Sequence, residues 1–433
     1  MRLAPCQGAV NRDSSAPEAA RRAILGPVPR FPLLGGLSPA QFLRRHWQKK
    51  PLLIRGAFPG FADPLSPEEL AGLACEEDVE SRLVLERGAR RPWQVMTGPQ
   101  SPARLRRLPA THWTLLVQGV DRLVSEVAAL ALPFRFLPDW RIDDVMVSFA
   151  PRFGSVGPHV DSYDVFLLQG RGRRRWAIDT RAASELRPGL DLRILRRFRA
   201  EATWVLEPGD MLYLPPGVAH HGVALEDCLT YSIGFRAPSG RELLGVALRQ
   251  SLARGDSSRL YRDPNLRPAR HPGEIPASAL RDLRTLVESE WRNLARAGFE
   301  SVVGGLLTEP KAGTAPLRPT SVERVRERLR NGASLLRVPG ARLAFTRHRE
   351  RGLLFAEGHA FALPPPLAFA GPLLTGSAKL HPRDLAPHLR TPGFAALLAG
   401  LVSAGAWELS RAPWRARAAS RPRGGSPPAR GSR

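Results

Sequence analysis

At 433 residues the chain has room for two or three domains and for a core that needs no covalent staples, which excludes a disulfide-bound mini-protein. Hydrophobic residues at 43% and charged residues at 24% are ordinary for a globular protein, and Cys6, Cys75 and Cys228 lack the number and spacing of a disulfide framework or a Cys-type zinc site. The formal net charge is +24, and of the 64 basic residues only Lys49, Lys50, Lys311 and Lys379 are lysines. An Arg, Pro and Gly excess is partly what GC-rich codon usage produces, but it also makes a field that favours polyanions such as RNA or a ribosome surface.

Residues 1–30 show no periodicity and read as a flexible tail without the apolar stretch of a signal peptide. No apolar run approaches the roughly 20 residues of a spanning helix, so no membrane partner and a reducing, cytoplasmic location are expected. In LSPAQFLRRHWQKKPLLIRGAF, Ser38 followed by Pro39 is an N-cap with Pro at the first helical position. Phe42, Leu43, His46 and Trp47 then share one face, which predicts a short amphipathic helix packed on the domain that follows. From about Trp140 to Phe235 the pattern changes to VMVSF, YDVFLLQ, RRWAI, TWVL, MLYLP and LTYSIGF, short runs of strand length separated by Gly and Pro. Such a series predicts a β-sandwich or barrel. Between Pro264 and Ala297 the chain turns helical, with Leu280, Leu283, Val287, Trp291 and Leu294 at three-to-four-residue steps, a stripe that reads as core before it reads as a dimer seam. Residues 320–409 read as helix (VERVRERL), three strands (ASLLRV, ARLAFTR, GLLFAEG) and helix (GFAALLAGLVSAG), a winged-helix-like order. From Arg411 the chain has arginines and no acid among Pro, Gly, Ser and Ala, the composition of a disordered tail.

The chemistry concentrates in the β-rich middle. His159 and Asp161 form His-x-Asp at a strand mouth, where alternation turns both side chains to one face. A lone His-x-Asp is more often structural, but His220 ends a run in which EPGD and PPG are tight turns around the strand MLYL, the second able to aim the next histidine inward. Two histidines and one carboxylate are the facial triad of non-haem Fe(II) oxygenases. His221 competes with His220 for that role, whereas His46, His112 and His348 lack any comparable setting.

PHVDSYDVFLLQGRGRRRW, GDMLYLPPGVAHHGVALEDCLTYSIGFRAP and the early LSPAQFLRRHWQKKPLLIRGAF resemble the bacterial ribosomal oxygenases of the JmjC cupin family, from about Phe31 to Glu242 and more faintly through DPNLRPARHPGEIP and the C-terminal module. The resemblance implies an α+β protein: a double-stranded β-helix catalytic domain over 31–245, a helical dimerisation region over 246–315 and a winged-helix-like domain over 316–410, with 411–433 as tail. It implies His159, Asp161 and His220 as Fe(II) ligands and catalytic centre, with 2-oxoglutarate and O2 as cosubstrates. It makes Arg174 the partner of the distal 2-oxoglutarate carboxylate, which a guanidinium can grip bidentately, with Ser148 and Ser232 as hydroxyl contacts. For either serine the alternative is a strand hydroxyl bonded to nearby backbone, and Arg173 and Arg175 belong on a solvated face. The implied substrate is a ribosomal-protein side chain, an arginine of large-subunit ribosomal protein sixteen, and the implied assembly is a homodimer, with rRNA contact as a further possibility. Asp139, Asp143, Asp144 and Asp164 are candidates to meet the substrate guanidinium, each also readable as a turn or surface carboxylate, and Tyr163 as a residue that stacks on the substrate or packs in the core. Two departures matter: His221 stands where the family pattern has an acid, and the arginines between Arg171 and Arg199 would repel a basic protein. The competing readings are a JmjC demethylase, a cupin using zinc or manganese, and a nucleic-acid-binding protein on an inactive cupin scaffold.

Overall fold

The computed structural model describes residues 33–410 apart from 88–90, 182–184, 191, 255–258, 265, 267, 269–270, 272, 297, 311–318 and 348–351; the tails expected at 1–30 and 411–433 lie outside the described residues. The first helix, α1 (Pro39–Arg45), starts where the cap predicts. The Ser38 hydroxyl accepts from the Gln41 N–H while the Gln41 side chain accepts from the Ser38 N–H. Phe42 is fully buried with its ring centroid 4.9 Å from that of Tyr213, and Leu43 and Trp47 pack against the same cluster. Burying a whole phenylalanine side chain is worth about 2–3 kcal/mol, so this contact holds the entry segment on the sheet.

After β1 (Leu52–Ile54) and α2 (Pro67–Leu73), the elements β2 (Ser81–Arg87), β3 (Arg91–Thr97), α3 (Pro102–Arg106), β4 (Trp113–Val117) and α4 (Ser125–Ala129) extend the sheet beyond the runs that the sequence pattern marked. The β-rich middle then comprises β5 (Ile142–Ala150), β6 (His159–Val160), β7 (Asp164–Gln169), β8 (Arg174–Asp179), β9 (Ala202–Leu206), β10 (Met211–Leu214), β11 (Ala219–Ala224) and β12 (Cys228–Phe235). Its strands divide between a large sheet ordered β1-β10-β7-β12-β5-β4-β2-β3 and a small sheet ordered β6-β11-β8-β9, all pairs antiparallel. Because the chain crosses from one sheet to the other between β5 and β12, the topology is the expected double-stranded β-helix.

Alternation on the central strands explains why they read as nearly continuous apolar runs: both faces are buried. Val147, Phe149, Phe166, Leu168, Tyr213, Tyr231 and Phe235 turn outward to the core shared with the helices. Val165, Leu167, Leu212 and Leu214 turn inward, where they meet Trp176, Ile178 and Leu206 of the small sheet.

Next come α5 (Gly240–Arg254), α6 (Ala277–Arg296) and α7 (Phe299–Thr308). Here the structure corrects a sequence expectation. Leu280, Leu283, Val287 and Trp291 of the stripe read as core are exposed, Leu280 at 53% and Val287 at 69%, the Leu294 side chain lies outside the described residues, and α5 adds Leu248 and Leu252. Helical periodicity reports an apolar face and not what covers it.

The C-terminal module has α8 (Val322–Arg330), β13 (Leu335–Arg337), β14 (Leu343–Thr346), β15 (Gly352–Ala356), β16 (His359–Leu363), α9 (Ala370–Gly376), β17 (Lys379–Leu380), α10 (Pro382–Leu385), α11 (Phe394–Ser403) and β18 (Trp407–Leu409), around a core of its own. The predicted helices and three strands are present; β16, β17, β18 and two short helices were not anticipated. Arg342 ties this module to the β-helix. Its guanidinium lies 2.7 Å from the Asp121 carboxylate and 2.7 Å from the Asp143 carbonyl, at the start of β5. No helix among the described residues is long and apolar enough to cross a membrane.

Candidate metal and cosubstrate site

His159 on β6, Asp161 just beyond it and His220 on β11 converge between the sheets, with one ligand atom from each within 4.8 Å of the others. Two local devices produce this. In the Pro215-Pro216-Gly217 turn, Gly217 has φ +85°, a left-handed conformation that costs glycine nothing, and its N–H donates to the Asp161 carbonyl at 2.9 Å. The turn that delivers His220 is therefore bonded to the segment that carries Asp161. Across the strands, His220 lies directly opposite His159 in the β11–β6 register.

Each histidine has its Nδ1 near a backbone carbonyl, His159 at 2.9 Å from Gly157 O and His220 at 3.0 Å from Val218 O. A carbonyl only accepts, so both Nδ1 atoms carry the proton and both Nε2 atoms present a lone pair. Those Nε2 atoms lie 3.9 and 3.6 Å from Asp161 Oδ2, too long for hydrogen bonds and suited to sharing a cation. Burial, and next to it the His159 ring, lowers the pKa of His220 to about 4, which keeps it neutral at physiological pH. Two imidazole nitrogens and a carboxylate suit an octahedral divalent ion with open positions. Gly222, one inward step beyond His220, leaves room for Trp176; a Cβ there would sit 2.7 Å from the indole ring.

Further along the same inner face, Arg174 lies opposite Ala224 in the β8–β11 register, while His220 lies opposite Ile178. Arg174 is buried and donates from one terminal nitrogen to Ser148 Oγ at 3.3 Å and Thr230 Oγ1 at 3.2 Å. Its Nε has no partner, no ion pair engages it among the described residues, and burial lowers its pKa. A buried guanidinium held by two hydroxyls and an indole face has the chemistry to receive a carboxylate. Arg173 and Arg175 are exposed, as expected, and Arg173 pairs with Glu226.

Sequence reasoning missed Thr230. Its signal was its place two residues before Ser232 on β12, but only the register, which sets it opposite Ser148, brings it to Arg174. Ser232 is buried on the same face, opposite Met146 and Leu167, and does not hydrogen-bond Arg174. His221 stands apart from the cluster, with Nε2 3.1 Å from Ser155 Oγ and its ring edge-on to Phe198. Tyr163 packs partly against the inner core, its hydroxyl pKa pushed up by burial and by Asp161, Asp144 and Asp143.

Of the four aspartates weighed as substrate contacts, Asp139, Asp143 and Asp164 are held in ion pairs elsewhere, whereas Asp144 lies in step with Met146 and Ser148 on the inner face of β5. Asp164 is fully buried between Arg141, Tyr213 and Gln48; Asp139 pairs with Arg135 and Arg337; Asp143 pairs with Arg236; Asp144 accepts from the Gly119 N–H. Alternation turns Asp143 and Asp164 to the outer face and leaves Asp144 on the inner one, near Tyr163.

Residues 129–243 match the model of the JmjC domain. The chain is 38% identical over 370 residues to the ribosomal protein uL16 3-hydroxylase of Escherichia coli, covering 84% of this chain and 96% of that protein. The chain belongs to the ribosomal oxygenases. A probable ribosomal oxygenase of Haemophilus influenzae is 42% identical over 211 residues, covering 48% of this chain and 52% of that one. The fold of this ribosomal oxygenase superposes on the crystal structure of Escherichia coli YcfD with a TM-score of 0.74, at 37% identity and over 87% of this chain and 99% of that one. A structure of the same Escherichia coli ribosomal oxygenase in complex with cobalt and 2-oxoglutarate matches with a TM-score of 0.71, at 36% identity and over the same shares of the two chains. The JmjC cupin fold expected from the motifs is thus present.

Proposed function

We propose that this ribosomal oxygenase is an Fe(II)- and 2-oxoglutarate-dependent dioxygenase that hydroxylates a ribosomal-protein side chain, an arginine of large-subunit protein uL16. The observation that carries the reading is Arg174, a buried cation without a carboxylate partner among the described residues, on the same inner face as a two-histidine, one-aspartate cluster. In this reading His159, Asp161 and His220 hold the metal, Arg174 with Ser148 and Thr230 binds the distal carboxylate of 2-oxoglutarate, and Ser232 lines the same wall. Bound iron supplies oxygen activation coupled to decarboxylation of 2-oxoglutarate to succinate.

The chain's own residues do the positioning. The Gly157 and Val218 carbonyls fix the imidazole tautomers and aim both Nε2 atoms inward. The Arg174 guanidinium sets the orientation of the diacid. Leu167, Leu212, Leu214 and Trp176 make the inner wall of the site apolar, while the His159 and Asp161 side chains stay about a quarter exposed.

The division into a catalytic domain (31–245), a helical dimerisation region (246–315) and a winged-helix-like domain (316–410) belongs to the same reading. It is supported by separate hydrophobic clusters in the three regions. Homodimer formation is supported by the exposed apolar faces of α5 and α6. The +24 charge supports contact with rRNA, and a ribosomal substrate supports a cytoplasmic location.

Incubation with Fe(II), 2-oxoglutarate and uL16 peptides, followed by mass spectrometry, is expected to add the mass of one oxygen, with His159→Ala abolishing the gain. Activity confined to methylated peptides would replace hydroxylase by demethylase. Succinate without peptide oxidation would refute the substrate, and neither product would favour the nucleic-acid-binding scaffold.

A further inference from the structure

Beside the site, between the two sheets and the β8–β9 connection, runs an open cleft of about 740 Å³. Pro158 and His221 line it, each the chain neighbour of a triad histidine, so it opens next to the cluster. Its remaining walls carry Arg181, Arg187, Arg197 and Arg199 together with Trp93 and Phe198. All four arginines are exposed, and among the described residues no ion pair engages them. The acids present are occupied or outnumbered. Asp179 spends both carboxylate oxygens on the backbone N–H groups of Arg181 and Arg199, Glu185 pairs with Arg196, and Glu86 is left.

From this cleft we infer a binding site for single-stranded RNA that lies beside the oxygenase centre. The inference rests on the ribosomal reading above for its biology and on the cleft for its chemistry. Unpaired guanidiniums satisfy phosphate oxygens bidentately, and half-buried Trp93 and Phe198 offer rings on which bases stack. Five arginines facing two acids in one groove repel a basic ribosomal protein and attract its nucleic-acid surroundings. The cleft therefore reconciles a basic enzyme with a basic substrate: it engages RNA next to the protein and leaves the side chain to the inner cavity. The aromatic pair favours RNA over an acidic peptide, which needs the arginines and not the rings.

The test is fluorescence anisotropy of a labelled single-stranded RNA of about 12 nucleotides, titrated with the full chain between about 50 and 200 mM salt. Arg187→Ala/Arg197→Ala/Arg199→Ala is expected to weaken binding at least about tenfold and to flatten the log–log salt slope by about 2, since each phosphate contact on a single strand contributes about 0.7. The corresponding triple Lys variant keeps most of the affinity. Arg44→Ala/Arg106→Ala/Arg107→Ala removes the same charge from exposed positions elsewhere and leaves the slope near that of the wild type. Phe198→Ala is expected to cost about tenfold through lost stacking. Equal losses in the two alanine triples would overturn the inference in favour of diffuse charge. A polyglutamate peptide that competes as well as RNA, with Phe198→Ala silent, would overturn it in favour of an acidic protein segment. Peptide hydroxylation without RNA is read separately, so a cleft that binds RNA in a chain unable to hydroxylate would sink the proposed function alone.

Discussion

The buried guanidinium of Arg174 bears on both stability and cosubstrate binding. Without 2-oxoglutarate it sits inside the β-helix with no carboxylate partner among the described residues, only the Ser148 and Thr230 hydroxyls and, 5.1 Å below it, the Trp176 ring. Arg174→Met keeps the length and the ring contact while removing the charge. Two hydrogen bonds from a charged donor are lost, at about 1.5–3 kcal/mol each. Against that, replacing buried charge by apolar volume typically gains about 1–4 kcal/mol, and here the charge lacks even a counter-ion. The expected variant is therefore as stable as the wild type or up to about 3 kcal/mol less stable when free of ligand. Removing one partner of a buried charge-assisted pair costs about 2–5 kcal/mol, so 2-oxoglutarate affinity should fall by about 30-fold or more. Urea unfolding with Mn(II), with and without 2-oxoglutarate, reads both quantities. At about 100 times its Kd the diacid should add about 2.7 kcal/mol to the wild type and much less to Arg174→Met. A variant that the diacid stabilises as much as it does the wild type would refute the reasoning.

His220 makes the fold sensitive to acid. Its folded pKa of about 4 lies below the unfolded 6.5, so the unfolded chain binds more protons between those values and stability falls as pH drops through that window, by about 2 kcal/mol at pH 5. Urea midpoints at pH 7 and 5 for the metal-free protein check this, and an unchanged pH slope in His220→Gln would assign the loss elsewhere. Gly222→Ala drives a Cβ to 2.7 Å from the Trp176 ring, and a loss of about 1–3 kcal/mol with weaker Mn(II) binding is expected; wild-type values on both would mean that the indole moves freely. Val287→Glu on the exposed face of α6 should yield a folded monomer in sedimentation velocity, whereas a persistent dimer would place the interface off that face.

What the sequence by itself determined were features encoded over a few residues. The Ser38–Pro39 cap, the apolar strands between 142 and 235, the PPG turn and the His-x-Asp pair each rest on local stereochemistry, and each stands where it was read. His220 belonged to this class because its turn is local, even though its partners lie some sixty residues earlier. Arg174 was marked by the family resemblance, and alternation then separates it from Arg173 and Arg175.

What tertiary structure decided were matters of register and covering. Thr230 reaches Arg174 only because β12 pairs with β5 in one register, and a slip of a single residue would turn it to the outer core. Asp139, Asp143 and Asp164 were drawn into ion pairs that no spacing rule contains. The α6 stripe shows the same limit from outside, since 3.6-residue periodicity marks an apolar face but not its cover. The basic cleft gathers arginines from one connection against an aromatic residue of a strand about a hundred positions earlier. Residues close in sequence share a local geometry that chemistry dictates; residues that meet across a sheet are brought together by the free energy of the whole fold.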